Sequence, residues 1–226
     1  MGYGIQIVVS GPRACFTRPE MKAERVSYDV ITPSAARGIL EAIYWKPAIK
    51  WIIDSIEVLN EIRFDTFRRN EISNKLSYQN AKSAMVNDSI IYQNANAEKE
   101  RQQRATLFLK NVSYVINAHF ELINMECKEE TEETEEKHYN IIMRRLRKGQ
   151  CFNQPYLGCR EFSASVAAFD NENEIPCSYY RGSGEKDLGY ILYDIDFQRN
   201  MQPVFFRAIM QNGVIDLKGI NKEVIL

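Results

Sequence analysis

Apolar residues Ile5, Ile7 and Val9 alternate with Gln6, Val8 and Ser10, which predicts a first strand partly buried on both faces, ended by Gly11-Pro12. The period then lengthens. Ala36, Ile39, Leu40 and Ile43 recur at helical spacing between Thr32-Pro33 and Lys46-Pro47. Thr32 suits the N-cap, Pro33 the first helical position and Lys46 the negative end of the dipole, and Pro47 stops the helix. Its last turn carries Tyr44, Trp45 and Lys46, suited to a stacking or acid-base surface as well as to a core edge. Strand alternation returns over Trp51 to Leu59 and continues from Glu61 to Arg68. Residues 70–103 are polar and rich in Asn and Gln, and they read as a long irregular excursion. The most regular strand follows, with Val112, Tyr114, Ile116, Ala118, Phe120 and Leu122 on one face and His119 on the other.

A second helix is predicted over roughly Thr134 to Lys148, acidic at its start and basic at its end (Arg144, Arg145, Arg147, Lys148), with Gly149 as its cap. The acids read as a helix-end complement, and the basic residues leave a further role open. His138, beside the acids, is expected at the surface. A strand then opens near Pro155 and runs to about Phe169. The order is strand, helix, strand, strand, helix, strand. That is the α+β, ferredoxin-like (RRM-like, βαββαβ) arrangement, whose open sheet face is the one RNA-recognition domains use. Beyond Asp170, strands at Gly189–Phe197, Pro203–Gln211 and Val214–Leu217, the last two flanking the hairpin signal Asn212-Gly213, predict a small antiparallel β-sheet domain. The expected division is residues 1–169, with an insertion around 70–103, and residues 170–226.

Composition changes this picture in one respect. The 226 residues carry a net charge of -1, but residues 126–136 hold a net of -6, leaving the rest at +5. Only local patches would therefore steer an anion. Arg13, Arg18, Lys22 and Arg25 lie among Phe16 and Tyr28, and Arg68, Arg69, Arg101 and Arg104 border the polar excursion. These read either as solvated loops or as phosphate and base contacts. Five scattered cysteines fit a reducing cytoplasm, and neither they nor the two histidines have metal-site spacing, so no metal or other cofactor is expected. No signal-peptide pattern or membrane-spanning run is seen, so no membrane partner is expected either.

The segments Tyr3-Gly4-Ile5 with Gly11-Pro12, Tyr28 through Gly38, Glu41 through Pro47, Arg101 through Thr106, Ala118-His119-Phe120 and Pro155 through Phe162 together resemble the CRISPR-associated RAMP proteins of the Cas-five family. The resemblance is to the subtype I-C member that cuts CRISPR precursor RNA. It implies metal-independent cleavage of repeat RNA at the 3′ side of a stem-loop, leaving a 5′-handle on each guide. It also implies retention of the guide RNA (crRNA) within an RNA-guided surveillance complex, alongside the other subunits of subtype I-C. The family's catalytic Tyr, Lys and His imply Tyr44, His119 and a lysine. That lysine does not map, because Asn117-Ala118 precede His119, so Lys46 or Lys110 would stand in.

The chemistry is accessible to such residues. A 2′-hydroxyl can attack its own phosphate, given a base, an acid at the leaving 5′-oxygen and a cation, yielding a 2′,3′-cyclic phosphate and a 5′-hydroxyl. Imidazole can serve as acid or base near neutrality. The alternative is a non-catalytic subunit that grips the crRNA 5′-handle. Phosphate contacts carry no sequence information, so some nonspecific binding of duplex DNA is expected in either case.

Overall fold

The computed structural model describes residues 3–21, 23–72, 77–90, 101–123, 134–168, 176–220 and 223–224. The elements follow as β1 (Gly4–Ala14), β2 (Arg25–Val26), α1 (Pro33–Ile43), β3 (Ile49–Val58), β4 (Phe64–Ile72), α2 (Tyr78–Val86) and β5 (Arg101–Leu122). After these come α3 (Glu135–Arg147), β6 (Ser165–Ala168), β7 (Glu185–Asp196), β8 (Gln202–Gln211), β9 (Val214–Asp216) and β10 (Glu223–Val224). It is a mixed chain dominated by an antiparallel sheet in the order β10-β8-β9-β3-β5-β1-β6, with β2 and β4 paired to β5 and β7 to β8.

Two compact units divide the chain: residues 1–65 with 107–226, and residues 66–106. In the first, α1 packs on β3 and β7, and α3 packs on β6 and α1. Thr32 caps α1 by accepting from the Ala35 amide at 3.2 Å, and Ala36, Ile39, Leu40 and Ile43 are all buried. Each of the three larger side chains stabilises the fold by about 1.5–3 kcal/mol. Ile5, Ile7 and Val9 of β1 and Trp51 and Ile53 of β3 are buried with them. So are Ala118 and Phe120 of β5, which leaves the intervening residues on the opposite face.

Several elements differ from the expected ones. β1 does not end at Gly11-Pro12. Pairing runs on to Ala14 opposite Leu109, passing over Pro12 and Asn111, whose φ is 49°. α1 stops at Ile43, and Tyr44 is already extended (φ -151°, ψ 119°) as its C-cap, so Tyr44, Trp45 and Lys46 are not on a helical turn. Residues 156–163 form tight turns closed by a Tyr156–Ser163 bridge, and β6 begins only at Ser165. There the Gly158 φ is +81°, and a Cβ on it would lie 2.1 Å from the Cys15 carbonyl oxygen. The 169/170 division and most of the acidic run fall outside the described residues.

The second unit contains the outer parts of β4 and β5 and the helix α2, where an irregular excursion was expected. Ser77 starts the helix by accepting from the Asn80 amide at 3.5 Å. Ala84 is its one buried residue among those described, so hydrophobic periodicity carried no trace of it.

Candidate functional site on the open sheet face

Strand β3 does not alternate evenly. Ile49, Trp51 and Ile53 are buried, and then Ile56 and Val58, so the parity changes between 53 and 56. The pairing with β5 explains it: Ile53 faces Ala118 and Ser55 faces Asn117, leaving Asp54 as the extra residue of a β-bulge. A bulge re-aims the side chain it carries. Here the Asp54 carboxylate reaches His119 Nδ1 at 2.9 and 3.0 Å. An ionised carboxylate only accepts, so Nδ1 carries the hydrogen, and Nε2 is the nitrogen available to exchange a proton.

The neighbours of His119 leave it accessible. Ile52 of β3 lies opposite on one side and Gly4 of β1 on the other, so the directly opposed position on β1 carries no side chain. Asn117, two residues away on the same face, donates from Nδ2 to Ser55 Oγ at 3.0 Å. Lys50 pairs with Glu121 two positions along the ladder, past Trp51 and Phe120, which puts Lys50, Ile52, His119 and Glu121 on one face. Further along β3, burial raises the Glu57 carboxyl above the usual range, with Arg181 opposing the shift.

Tyr44 does not join this group. It is 2% exposed, and its hydroxyl hydrogen-bonds His138 Nδ1 at 2.8 Å. Its carbonyl accepts from Trp51 Nε1 at 2.9 Å, and the His138 ring meets Phe120 edge-on at 6.1 Å. Trp51 and Phe120 belong to the helix-covered face, whereas His119, adjacent to Phe120 in an extended strand, points to the other. The expected pairing of Tyr44 with His119 in one site is therefore not met. His138, expected at the surface, is buried at 1% exposure because it continues the stripe of Ile142 and Leu146 at four-residue spacing. Lys46 is exposed in the turn before β3. Lys110 is held by Asp65 at 3.0 Å and lies nine residues along β5 from His119, roughly 30 Å away.

The basic candidates separate by partner. Arg18 pairs with Asp29 at 3.6 Å and stacks over Tyr28, and Arg25 pairs with Glu161 at 3.2 Å. Arg69 and Arg104 both meet Glu71 at 3.8 Å. Arg13, Arg68 and Arg101 are exposed with no ion pair among the described residues, although Arg13 lies over the Phe108 ring. Lys22 lies outside the described residues. Missed in the sequence were Asp54, whose signal is the parity change in β3, and Lys50, whose signal is its alternation with Trp51.

Comparison with known proteins supplies the family. The family model described as CRISPR-associated protein (Cas_Cas5) matches residues 4–218. The chain is 50% identical over 224 residues to "CRISPR pre-crRNA endoribonuclease Cas5d" of Mannheimia succiniciproducens, covering 99% of this chain and 98% of that protein. It is 39% identical over 232 residues to the protein of the same name from Thermus thermophilus, covering 94% and 90%. A solved "CRISPR-associated Protein" crystal structure superposes with a TM-score of 0.69 at 27% identity, covering 96% of this chain and 93% of that one. The match spans both the bulged strand β3 and the His119 strand β5, and on it the chain belongs to the CRISPR-associated Cas5 protein family.

Proposed function

We propose that this chain is an endoribonuclease that cuts the repeat of CRISPR precursor RNA, with His119 as the residue that moves the proton. The observation that carries the reading is the His119–Asp54 pair, built by a β-bulge on the open face of the sheet. The curated relatives' name, held by proteins matching almost the whole chain, supports the substrate.

The run β6-β1-β5-β3, with α1 and α3 as crossovers, supports a ferredoxin-like domain over residues 1–169, and the strands from β7 onward a small appended β-sheet. On this reading the RNA lies on the face opposite the helices. The 2′-hydroxyl attacks the adjacent phosphorus and the bond from phosphorus to the 5′-oxygen breaks. His119 Nε2 takes the 2′-hydroxyl proton, Asp54 stabilises the imidazolium that forms, and a proton from solvent neutralises the leaving oxygen. Lys50, two ladder positions from His119 on the same face, supplies positive charge to the phosphate in place of the lysine that does not map beside it. The products are a 2′,3′-cyclic phosphate and a 5′-hydroxyl. The protein keeps its product in the cytoplasm as the 5′-handle-binding subunit of the subtype I-C surveillance complex, and its cations also hold duplex DNA without sequence preference.

The test is cleavage of repeat hairpin RNA in EDTA. Wild type is expected to cut, His119→Ala to be slower by about 10²–10⁴-fold, and its hairpin affinity to change little. Asp54→Asn is expected to slow cleavage while leaving affinity unchanged, because an amide no longer fixes the imidazole tautomer. If wild type binds the hairpin but does not cut it, the chain is a handle-binding subunit only.

A further inference from the structure

Cys15 and Cys159 stand 144 positions apart in the chain and are neighbours in the fold. Cys15 directly follows β1, and its amide donates to the Leu157 carbonyl at 3.0 Å. The next residue, Gly158, passes so close to the Cys15 carbonyl that a Cβ would lie 2.1 Å from the oxygen. Cys159 then comes over the same group, and its thiol donates to the Cys15 carbonyl at 3.6 Å. The two thiols also hydrogen-bond each other. Contacts on three successive residues of the turn therefore hold these two sulfurs side by side.

The pair is unequal. Cys15 is fully buried, its sulfur 3.6 Å from Thr17 Oγ1 and 3.7 Å from the Leu107 carbonyl oxygen. Cys159 is only half-buried, so a small solute can reach it. The hydrogen bond from Cys15 brings the Cys159 thiol down to about 7, with Arg25 and Thr17 assisting and burial and Glu161 opposing. The same hydrogen bond, together with burial, pushes Cys15 up. The thiolate is the nucleophile, so Cys159 is the reactive member and Cys15 stays protonated beside it. A cysteine pair kept only for packing would act as two small hydrophobes and resist oxidation.

We propose that Cys159 is a peroxide-reactive thiol with Cys15 as its resolving partner, and that the two form a reversible disulfide. The Cys159 sulfur attacks one oxygen of hydrogen peroxide, the O–O bond breaks, and a sulfenic acid forms with release of hydroxide. The Cys15 sulfur then attacks the Cys159 sulfur. The S–O bond breaks, and the hydroxyl leaves with the Cys15 proton as water. Peroxide gains two electrons, and the two thiols lose them. A dithiol reductant restores both thiols by exchange. The bond ties the turn that carries Gly158 to the end of β1. β1 runs along β5 from Gly4 opposite His119 to Ala14 opposite Leu109, so the pair lies at the far end from His119 and its oxidation is independent of the cutting proposed above.

The experiment treats the full chain, folded and at neutral pH, with hydrogen peroxide and maps its peptides without reduction. The peptides holding Cys15 and Cys159 are expected to appear joined, and to separate again after dithiothreitol. Cys151 and Cys177, both exposed, are internal controls and are expected to stay unpaired. In Cys15→Ser the hydroxyl keeps a donor beside Cys159 but cannot bridge, so the Cys159 sulfenic acid is expected to accumulate and be trapped by dimedone. Cys159→Ser is expected to lose both the joined peptide and the dimedone adduct. Trapping at Cys15 instead, or Cys159 joined to Cys127, Cys151 or Cys177, overturns the proposal. So does a wild-type map in which the exposed controls oxidise while Cys15 and Cys159 remain thiols. The wild-type maps need no variant to fold.

Discussion

At the scale of single residues, His119 and Tyr44, which the sequence places in one site, part to opposite faces of the sheet. His119 sits on a polar face with an acid partner and a glycine opposite it on β1. Tyr44 is a buried hydroxyl satisfied by a buried imidazole. Tyr44→Phe leaves His138 Nδ1 without that partner, at a cost of about 1–3 kcal/mol. In a chain of this size the melting temperature is expected to fall by roughly 2–12 °C. The folded variant is expected to cut at the wild-type rate. A melt and a cleavage assay on the same preparation check this. An unchanged melt with lost cleavage would return Tyr44 to the reaction. The face of His119 was legible because strand alternation is strict. The burial of His138 was hidden by the acidic run before it, although the spacing to Ile142 and Leu146 was there to read.

Among the elements, turns and ends are decided by contacts far away in the chain. α1 read as running to Lys46 because nothing local stops it before Pro47. It ends at Ile43, where its last carbonyls are taken by Arg145, Phe152 and Asn153. The expected strand from Pro155 is delayed by a turn that Gly158 makes possible. Gly158→Ala meets both a left-handed φ and the Cys15 carbonyl, and is expected to cost at least about 2 kcal/mol. Gly149, at φ +61° with nothing within 4 Å of an added Cβ, is the control. Gly149→Ala is expected to cost only about 1 kcal/mol. Denaturant titration of the two variants compares them, and equal losses would mean that the contact with Cys15 relaxes freely.

For the whole molecule, the order of strands and helices up to β6 was legible apart from β2 and α2, since the other elements each carry their own period. The pairing of β9 with β3 was not, because it joins residues more than 150 apart and leaves no local pattern. Charge behaves similarly: eight basic residues stand out in the sequence, but four are neutralised by partners that only the fold reveals. If Arg13, Arg68 and Arg101 carry the phosphate contacts, hairpin affinity should fall about 20- to 40-fold between 50 and 200 mM salt. Eight full contacts would require a loss of about 2,000- to 20,000-fold over that range. A salt titration of binding decides which, and a flat titration would remove all of them from the interface.

The bulge at Asp54 also limits how this protein can diverge. A point change there costs one carboxylate and leaves the strand intact. Losing or gaining one codon nearby is a different event, because the parity of everything beyond it reverses. Ile56 and Val58 would turn to solvent, and Ser55 and Glu57 would turn into the core. Lineages can therefore trade the residue at this position but cannot easily shorten the strand. The acid's place beside His119 is inherited through the length of the chain as much as through its identity.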